Sequence, residues 1–389
     1  SSAASDVYKR QRFKGTFYWD EFMERPMVCG DLPWRKADAK PRSWDDTDDA
    51  GVHNVLEKDY KIDSMPKTRE GVDLALADIT RHPVREYLRS LIWDGEKRCE
   101  TLFIDYLGAE DSRYTRTVTR KALIGAAARI LSPGCKHDHM LVLIGPQGCR
   151  KSTTLKKLGK EWFSDSLYTM SGKDAYEQIQ GFWIIELSEM AATRKAEVEQ
   201  IKQFVSKQED NYRAAYARRT QCHPRQCAFF GTTNDEEFLR DPTGARRFWP
   251  VVVTDAGKTL GDKLTASIVD QIWAEAVTYY EAGETWYLDG AVEEMARKVQ
   301  ADHTEANGKL GLIENFLEVL LPEDWDDWDL EKRLMFWSGG FGEERNGTVP
   351  RTKVCALEVW QELFKGDPKS YSQTQAREII GLLRMIPGW

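Results

Sequence analysis

The sequence predicts an α/β fold built around a phosphate-binding loop, and three observations predict it. Met140 to Leu158, MLVLIGPQGCRKSTTLKKL, is an apolar run that breaks at Gly145 and passes through Gly148 into a helix-forming segment. Phe182 to Leu187 (FWIIEL) and Cys227 to Thr232 (CAFFGT) are short apolar runs of the kind that form buried strands. Segments of helical period stand between and around these runs, which is the alternation of an α/β domain.

The loop reading rests on spacing. In G-x-x-x-x-G-K-[ST], successive backbone N–H groups wrap a β-phosphate, the lysine neutralises it, and the hydroxyl holds Mg²⁺ at a helix N-terminus. Gly145, Pro146, Gln147, Gly148, Cys149, Arg150, Lys151, Ser152 and Thr153 are the candidate nucleotide contacts, with Ser152 also a metal ligand. Arg150 takes the place of the second glycine, where a side chain is normally excluded because the backbone must come close to phosphate.

Composition sets the outer bounds. A chain of 389 residues is long enough for two or three domains. With 41% hydrophobic and 30% charged residues it reads as soluble, and no apolar run approaches the ~20 residues of a membrane span. Seven cysteines, an odd number without regular spacing or a secretory leader, point to a reducing cytoplasm. Cys135, His137 and His139 cluster in sequence, as do Cys222, His223 and Cys227, but neither group has paired C-x-x-C spacing, so both read as ordinary loop residues. A net charge of −8 argues against general nucleic-acid affinity. Asn211 to Gln226 is the local exception, with four arginines, two tyrosines and no acid.

Taken in order, Ser1 to about Gln11 reads as a non-native read-end segment, which implies a longer parent chain. Residues 12–51, rich in Trp, Pro and Asp, show no sustained period and are expected to be irregular, with WDDTDD at Trp44 to Asp49 a solvated loop. Residues 52–134 carry helical spacing at Val72 to Ile79, Val84 to Ile92 and Val118 to Ile130 and make a helical packing domain. Residues 135–255 hold the nucleotide-binding core.

Within that core, Glu186 and Glu189 stand at a strand end, where a carboxylate can hold the Mg²⁺ water shell or take a proton from attacking water. Thr193 is placed to cap a helix running to Gln208. Asn234 follows the CAFFGT strand, where an amide can orient lytic water. Arg246 and Arg247 precede a further apolar strand and are candidate arginine fingers, often supplied to a neighbouring subunit. Residues 256–308 read as a helical lid and 309–389 as a C-terminal helical or winged-helix-like domain, with helices at about Lys353 to Phe364 and Ser372 to Met385 around a Gly-rich loop at Gly339 to Gly347.

The order of phosphate loop, acidic strand end, basic segment, Asn-tipped strand and paired arginines resembles the helicase superfamily three core of the AAA+ class, and within it the virulence-associated E family of phages, prophages and mobile islands. GPQGCRKST, EWFSDSL, WIIELSEM, SKQEDNYRAAYARR, FFGTTND and DPTGARRFWPV carry the likeness, from about Leu88 to Pro250. It implies an ATP- and Mg²⁺-dependent motor on single-stranded or forked DNA, working as a hexameric ring in the bacterial cytoplasm, with a primase domain or partner. It assigns Lys151 and Ser152 to the Walker A lysine and metal ligand, Glu186 or Glu189 to the Walker B acid, with Glu186 on the metal, and Asn234 to water positioning. Arg246 or Arg247 becomes the finger, and Lys207, Arg213, Arg218 and Arg219 fall in the DNA-contacting segment. Arginines and tyrosines on a hairpin suit phosphate tracking and base stacking without sequence readout. Two other readings compete. One is a nucleotide- and DNA-binding protein without turnover, motivated by Arg150, and the other is a small-molecule P-loop kinase, which leaves the basic segment without a use.

Overall fold

The computed structural model describes residues 13–170, 172–188, 195–212, 220–236, 238–239, 245–303, 308–338, 347–384, 386 and 388–389. The chain divides into two compact units, residues 1–304 and 305–389. No helix among the described residues is long and apolar enough to cross a membrane.

The first unit opens with a small sheet. β1 (Phe17–Asp20), β2 (Arg25–Val28) and β3 (Arg42–Ser43) run antiparallel in succession, followed by α1 (Asp46–Tyr60) and α2 (Met65–Ala77). The short β4 (Thr80–Arg81) then adds parallel to β1. This corrects the expectation of an irregular segment. Phe17 and Val28 pack with Val52, Leu56, Val72 and Leu76 from the two helices, so tertiary burial supplies the order that local periodicity lacks.

The acidic run is likewise not a solvated loop. Asp45 caps α1 in a reciprocal capping box with Asp48, placing negative charge at the helix N-terminus. Asp48 is fully buried, accepting from Arg42 Nη2 at 2.7 Å and Trp34 Nε1 at 3.0 Å. Burial pushes its pKa up, but the hydrogen bonds from Arg42 and Trp34 outweigh burial and hold it below the ordinary value.

α3 (Pro83–Ser90), α4 (Leu102–Leu107) and the long α5 (Arg113–Leu131) lead into the central sheet. Its strands are β5 (Met140–Ile144), then, after α6 (Lys151–Gly159), β6 (Phe163–Ser164). After α7 (Gly172–Ile179) comes β7 (Ile184–Leu187), and after α8 (Lys195–Val205) the hairpin β8 (Glu209–Tyr212) and β9 (Gln221–Pro224). β10 (Ala228–Thr233) and β11 (Phe248–Val252) complete it. The five-stranded sheet has the order β11-β5-β10-β7-β6 and every pairing in it is parallel.

A parallel sheet buries both faces, which is why β5 is apolar at every position. Leu141 and Leu143 face one core with α5, and Met140, Val142 and Ile144 face the other with Ile201, Phe204 and Val205 of α8. Beyond β11 come the single turn α9 (Gly257–Leu260), α10 (Ala266–Glu281) and α11 (Gly290–Asp302). Trp183 stacks on Trp273 of α10 at 4.2 Å and donates Nε1 to Ala126 O of α5, fastening helix, sheet and helix.

The second unit has its own core, Ile313, Phe316 and Leu317 of α12 (Gly308–Glu318) against Val359, Ile379 and Leu382. α13 (Leu330–Trp337), α14 (Ala356–Glu358) with its π-helical continuation to Leu363, and α15 (Gln373–Leu383) complete it. Among its described residues the β content is one antiparallel bridge, Leu321 to Val349. Residues 339–346 of the Gly-rich loop lie outside the described residues.

Candidate active site

The carboxyl ends of β5, β10 and β7 bring four sequence-predicted groups together. The Gly145–Arg150 turn leaves β5 and enters α6, and Gly145 N–H donates to Thr233 O of β10 at 3.1 Å. Lys151 Nζ donates to Gly145 O at 2.6 Å, Pro146 O at 3.0 Å and Asn234 Oδ1 at 3.0 Å, so the Asn-tipped strand touches the lysine of the loop. Ser152 Oγ donates to Glu186 Oε1 at 2.6 Å. β7 is separated from β5 by β10, so the serine at the head of α6 reaches past the middle strand to the carboxylate.

Thr232 belongs to this group, and sequence reasoning missed it. Its hydroxyl, on the intervening strand, also donates to Glu186 Oε1 at 2.6 Å. The FFGTTND stretch offered a hydroxyl one turn before the amide, but nothing in one sequence says which face of the strand it occupies. Glu186 is 2% exposed, and its second oxygen, Oε2, is buried with no hydrogen-bond partner among the described residues. A buried carboxylate oxygen without a donor carries an unmet demand for positive charge. Together with the Ser152 hydroxyl this donor set fits a hard divalent cation such as Mg²⁺.

The turn accommodates its arginine in a left-handed backbone. Gly148 sits at φ +83° and Arg150 at φ +70°, so Arg150 adopts the left-handed backbone that glycine would otherwise supply. Its guanidinium points out of the cradle, with Nη2 3.2 Å from Asp262 Oδ2. Around the turn lies an open cleft of about 550 Å³. Gln147 to Thr153, Thr232 to Asn234, Ser188 and Lys258 line it, a size that suits a nucleotide. Lys258 had no signal in the sequence because it arrives from a segment about a hundred residues downstream.

Other candidates lie apart. Arg246 and Arg247 form a 3₁₀ turn before Phe248, which pairs with Met140, the opposite end of β5 from the turn. Four residues of strand, roughly 13 Å, separate that rim from the cleft. Arg247 is half-buried and donates Nε to Ser206 Oγ at 3.0 Å, whereas Arg246 is exposed. Glu189 and Thr193 lie outside the described residues, as do Arg213, Arg218 and Arg219 between β8 and β9 in sequence.

The base of that hairpin is described. Tyr176, Tyr212 and His223 stack in series at 5.6 and 4.1 Å, and burial pushes the Tyr212 phenol up to about 12. Lys207 Nζ is held at 2.8 Å by the Tyr176 hydroxyl. Arg225, the last arginine of the basic run, is 2% exposed and ion-paired with Asp210 at 2.6 Å, so it builds the hairpin base and is no surface cation. The Cys/His positions serve packing: the Cβ of a residue at 125 would meet the buried His137 ring at 2.4 Å, and His223 Nδ1 pairs with Glu24 at 2.6 Å.

Comparison with curated proteins finds no match. Among solved structures, an apo structure of the NrS-1 C-terminal region is 14% identical, with 94% of this chain and 87% of that chain covered and a TM-score of 0.42. An A-form apo structure of the same region is 13% identical over 94% of this chain and 90% of that one, at a TM-score of 0.45. The family model for the virulence-associated protein E-like domain matches residues 88–305, more than half of the 389 residues and all of the elements that build the cleft. The chain belongs to the virulence-associated protein E-like family.

Proposed function

We propose that the chain is an ATP-hydrolysing motor of the helicase superfamily three type, within the AAA+ class, that moves single-stranded or forked DNA during replication of a phage or mobile element. The observation that carries this reading is the meeting of Lys151 with Asn234 at 3.0 Å and of Ser152 with Glu186 at 2.6 Å, from three strand ends on one cleft. The kinase alternative loses support from the hairpin, whose stacked aromatic base, within an arginine-rich stretch of sequence, has no use in a small-molecule site. The silent-binder alternative was motivated by Arg150, whose guanidinium is paired with Asp262.

The roles follow from position. Backbone N–H groups of the turn cradle the phosphates, and Lys151 exchanges its carbonyl contacts for the triphosphate. Mg²⁺, when bound, neutralises charge on the β- and γ-phosphates. Ser152 and the free oxygen of Glu186 are the residues that would hold it, directly or through water. Asn234, which accepts from Lys151, orients attacking water in this reading, and the Glu186 carboxylate accepts its proton. Arg246, on the far rim, serves a neighbouring subunit in a head-to-tail ring, and the basic segment that carries Arg213, Arg218 and Arg219, with Lys207 before it in sequence, tracks DNA phosphates.

The test measures ATP hydrolysis with and without single-stranded DNA. Wild type should show DNA-stimulated turnover, abolished in Lys151→Ala, with Glu186→Gln binding nucleotide but slowed by roughly 10² to 10⁴. Nucleotide and DNA binding without turnover in the wild type would leave the silent binder, and turnover indifferent to DNA but raised by a metabolite would leave the kinase.

A further inference from the structure

The wall of the cleft opposite the strand ends is built by the segment that follows β11, and its placement is unusually tight. Gly145 lies so close to Val253 that a Cβ there would meet the Val253 carbonyl oxygen at 2.5 Å. At Gly257 a Cβ would meet Cys149 O, in the middle of the turn, at 2.4 Å and the Leu107 side chain at 3.1 Å. Neither approach tolerates a side chain, so this strap and the phosphate turn form one rigid piece of backbone. Lys157 of α6 donates Nζ to Gly261 O at 2.8 Å and Leu264 O at 2.9 Å, fixing the strap's far end. Thr254 N–H donates to Leu107 O at 3.0 Å and fixes the near end.

One cation rides on this strap. Lys258 lines the cleft, and its Cε comes 4.0 Å from where a Cβ would stand on Gly148, at the open side of the turn. Its side chain is half exposed, and the ammonium's partner is Asp255 Oδ1 at 2.8 Å, on a side chain 61% exposed. An ion pair of that exposure is worth little and is readily exchanged for a better anion.

We propose that Lys258 is a nucleotide-contacting residue, binding the anionic phosphate chain from the side opposite Lys151, with Asp255 holding its ammonium in reserve. The proposal rests on the reading of the turn as a nucleotide site. It divides the electrostatic work in two. Lys151, 8% exposed and wrapped by the turn, answers to the interior of the cradle. Lys258 answers to the solvent side, so its contribution is salt-sensitive and common to di- and triphosphates.

The experiment is equilibrium binding of Mg-ATP, ADP and AMP to the full chain, for wild type, Lys258→Ala, Lys258→Arg, Asp255→Asn and Lys151→Ala, with melting temperatures checked alongside. Lys258→Ala should bind ATP and ADP about three- to tenfold more weakly, and AMP with a smaller loss, while Lys258→Arg restores most of the affinity. Asp255→Asn, which frees the ammonium, should bind no more weakly than wild type. Equal binding by wild type and Lys258→Ala, with Lys151→Ala defective, would overturn this inference and leave the motor reading intact. A loss in Asp255→Asn equal to that in Lys258→Ala would also overturn it, because the pair would then serve the strap and not the ligand. Absence of nucleotide binding in the wild type would overturn the site reading itself, and this inference with it.

Discussion

Arg150 and Thr232 show how much of a site is decided by single torsions and single hydroxyls. A non-glycine residue at φ +70° costs on the order of 1 kcal/mol, and the exposed Arg150–Asp262 pair returns between roughly 0 and 1 kcal/mol. Arg150→Gly is therefore expected to stay within about 1 kcal/mol of wild-type stability and to keep nucleotide affinity; thermal unfolding and ATP titration check both, and lost affinity would mean that the guanidinium itself binds ligand. Thr232→Val removes one of two donors to Glu186 Oε1 and should slow ATP turnover by about tenfold with little change in nucleotide affinity, a kcat effect read by steady-state kinetics. The loop residues were legible in the sequence because their chemistry is encoded by spacing. Thr232 and Lys258 were not, because their roles depend on a strand face and on a distant segment folding back.

At the level of elements, apolarity made β5, β7 and β10 readable: strands covered on both faces are apolar except toward their carboxyl ends, where Glu186 and Thr232 are buried. The first sheet escaped notice for the opposite reason. β1 to β4 are two to four residues long, and their order comes from helices packed on one side. One junction between that region and the core carries a titratable group. His82 caps α3, with Nδ1 accepting from Arg85 N–H at 3.1 Å and Nε2 lying 2.6 Å from Gln226 Oε1 before β10. This pairing requires the neutral ring protonated on Nε2. Burial holds its pKa below the ordinary 6.5, opposed by the Gln226 contact and reinforced by the Arg85 charge. Burial holds that of His137 well below the same value. A depressed folded value means that the unfolded chain binds more protons between the two values, so the stabilisation is complete above the ordinary value and lost as pH falls through that window. The melting temperature should drop as pH falls below the ordinary histidine value of 6.5, and His82→Asn, which keeps a cap, should flatten part of the drop. An identical slope in the variant would remove His82 from the account.

Considered as a whole, the molecule has its candidate cleft within one unit. The cores of residues 1–304 and 305–389 share no described residue, and every described group lining the cleft belongs to the first. A chain ending at Thr304 is expected to bind nucleotide with wild-type affinity, measurable by titration; loss on truncation would assign the second unit a part in the site. The hairpin was legible as a basic, aromatic stretch, yet the burial of its last arginine was not, since only the fold pairs Arg225 with Asp210. The far-rim position of Arg246 has its own consequence. Under the proposed role of Arg246 in a neighbouring subunit's site, a lone subunit would be only half an enzyme. Specific activity should then climb with protein concentration and level off once copies associate, and mixing in a Lys151→Ala, Arg246→Ala double variant should poison the population out of proportion to its share. Dilution would act as the off state, confining fuel consumption to places where enough copies have gathered.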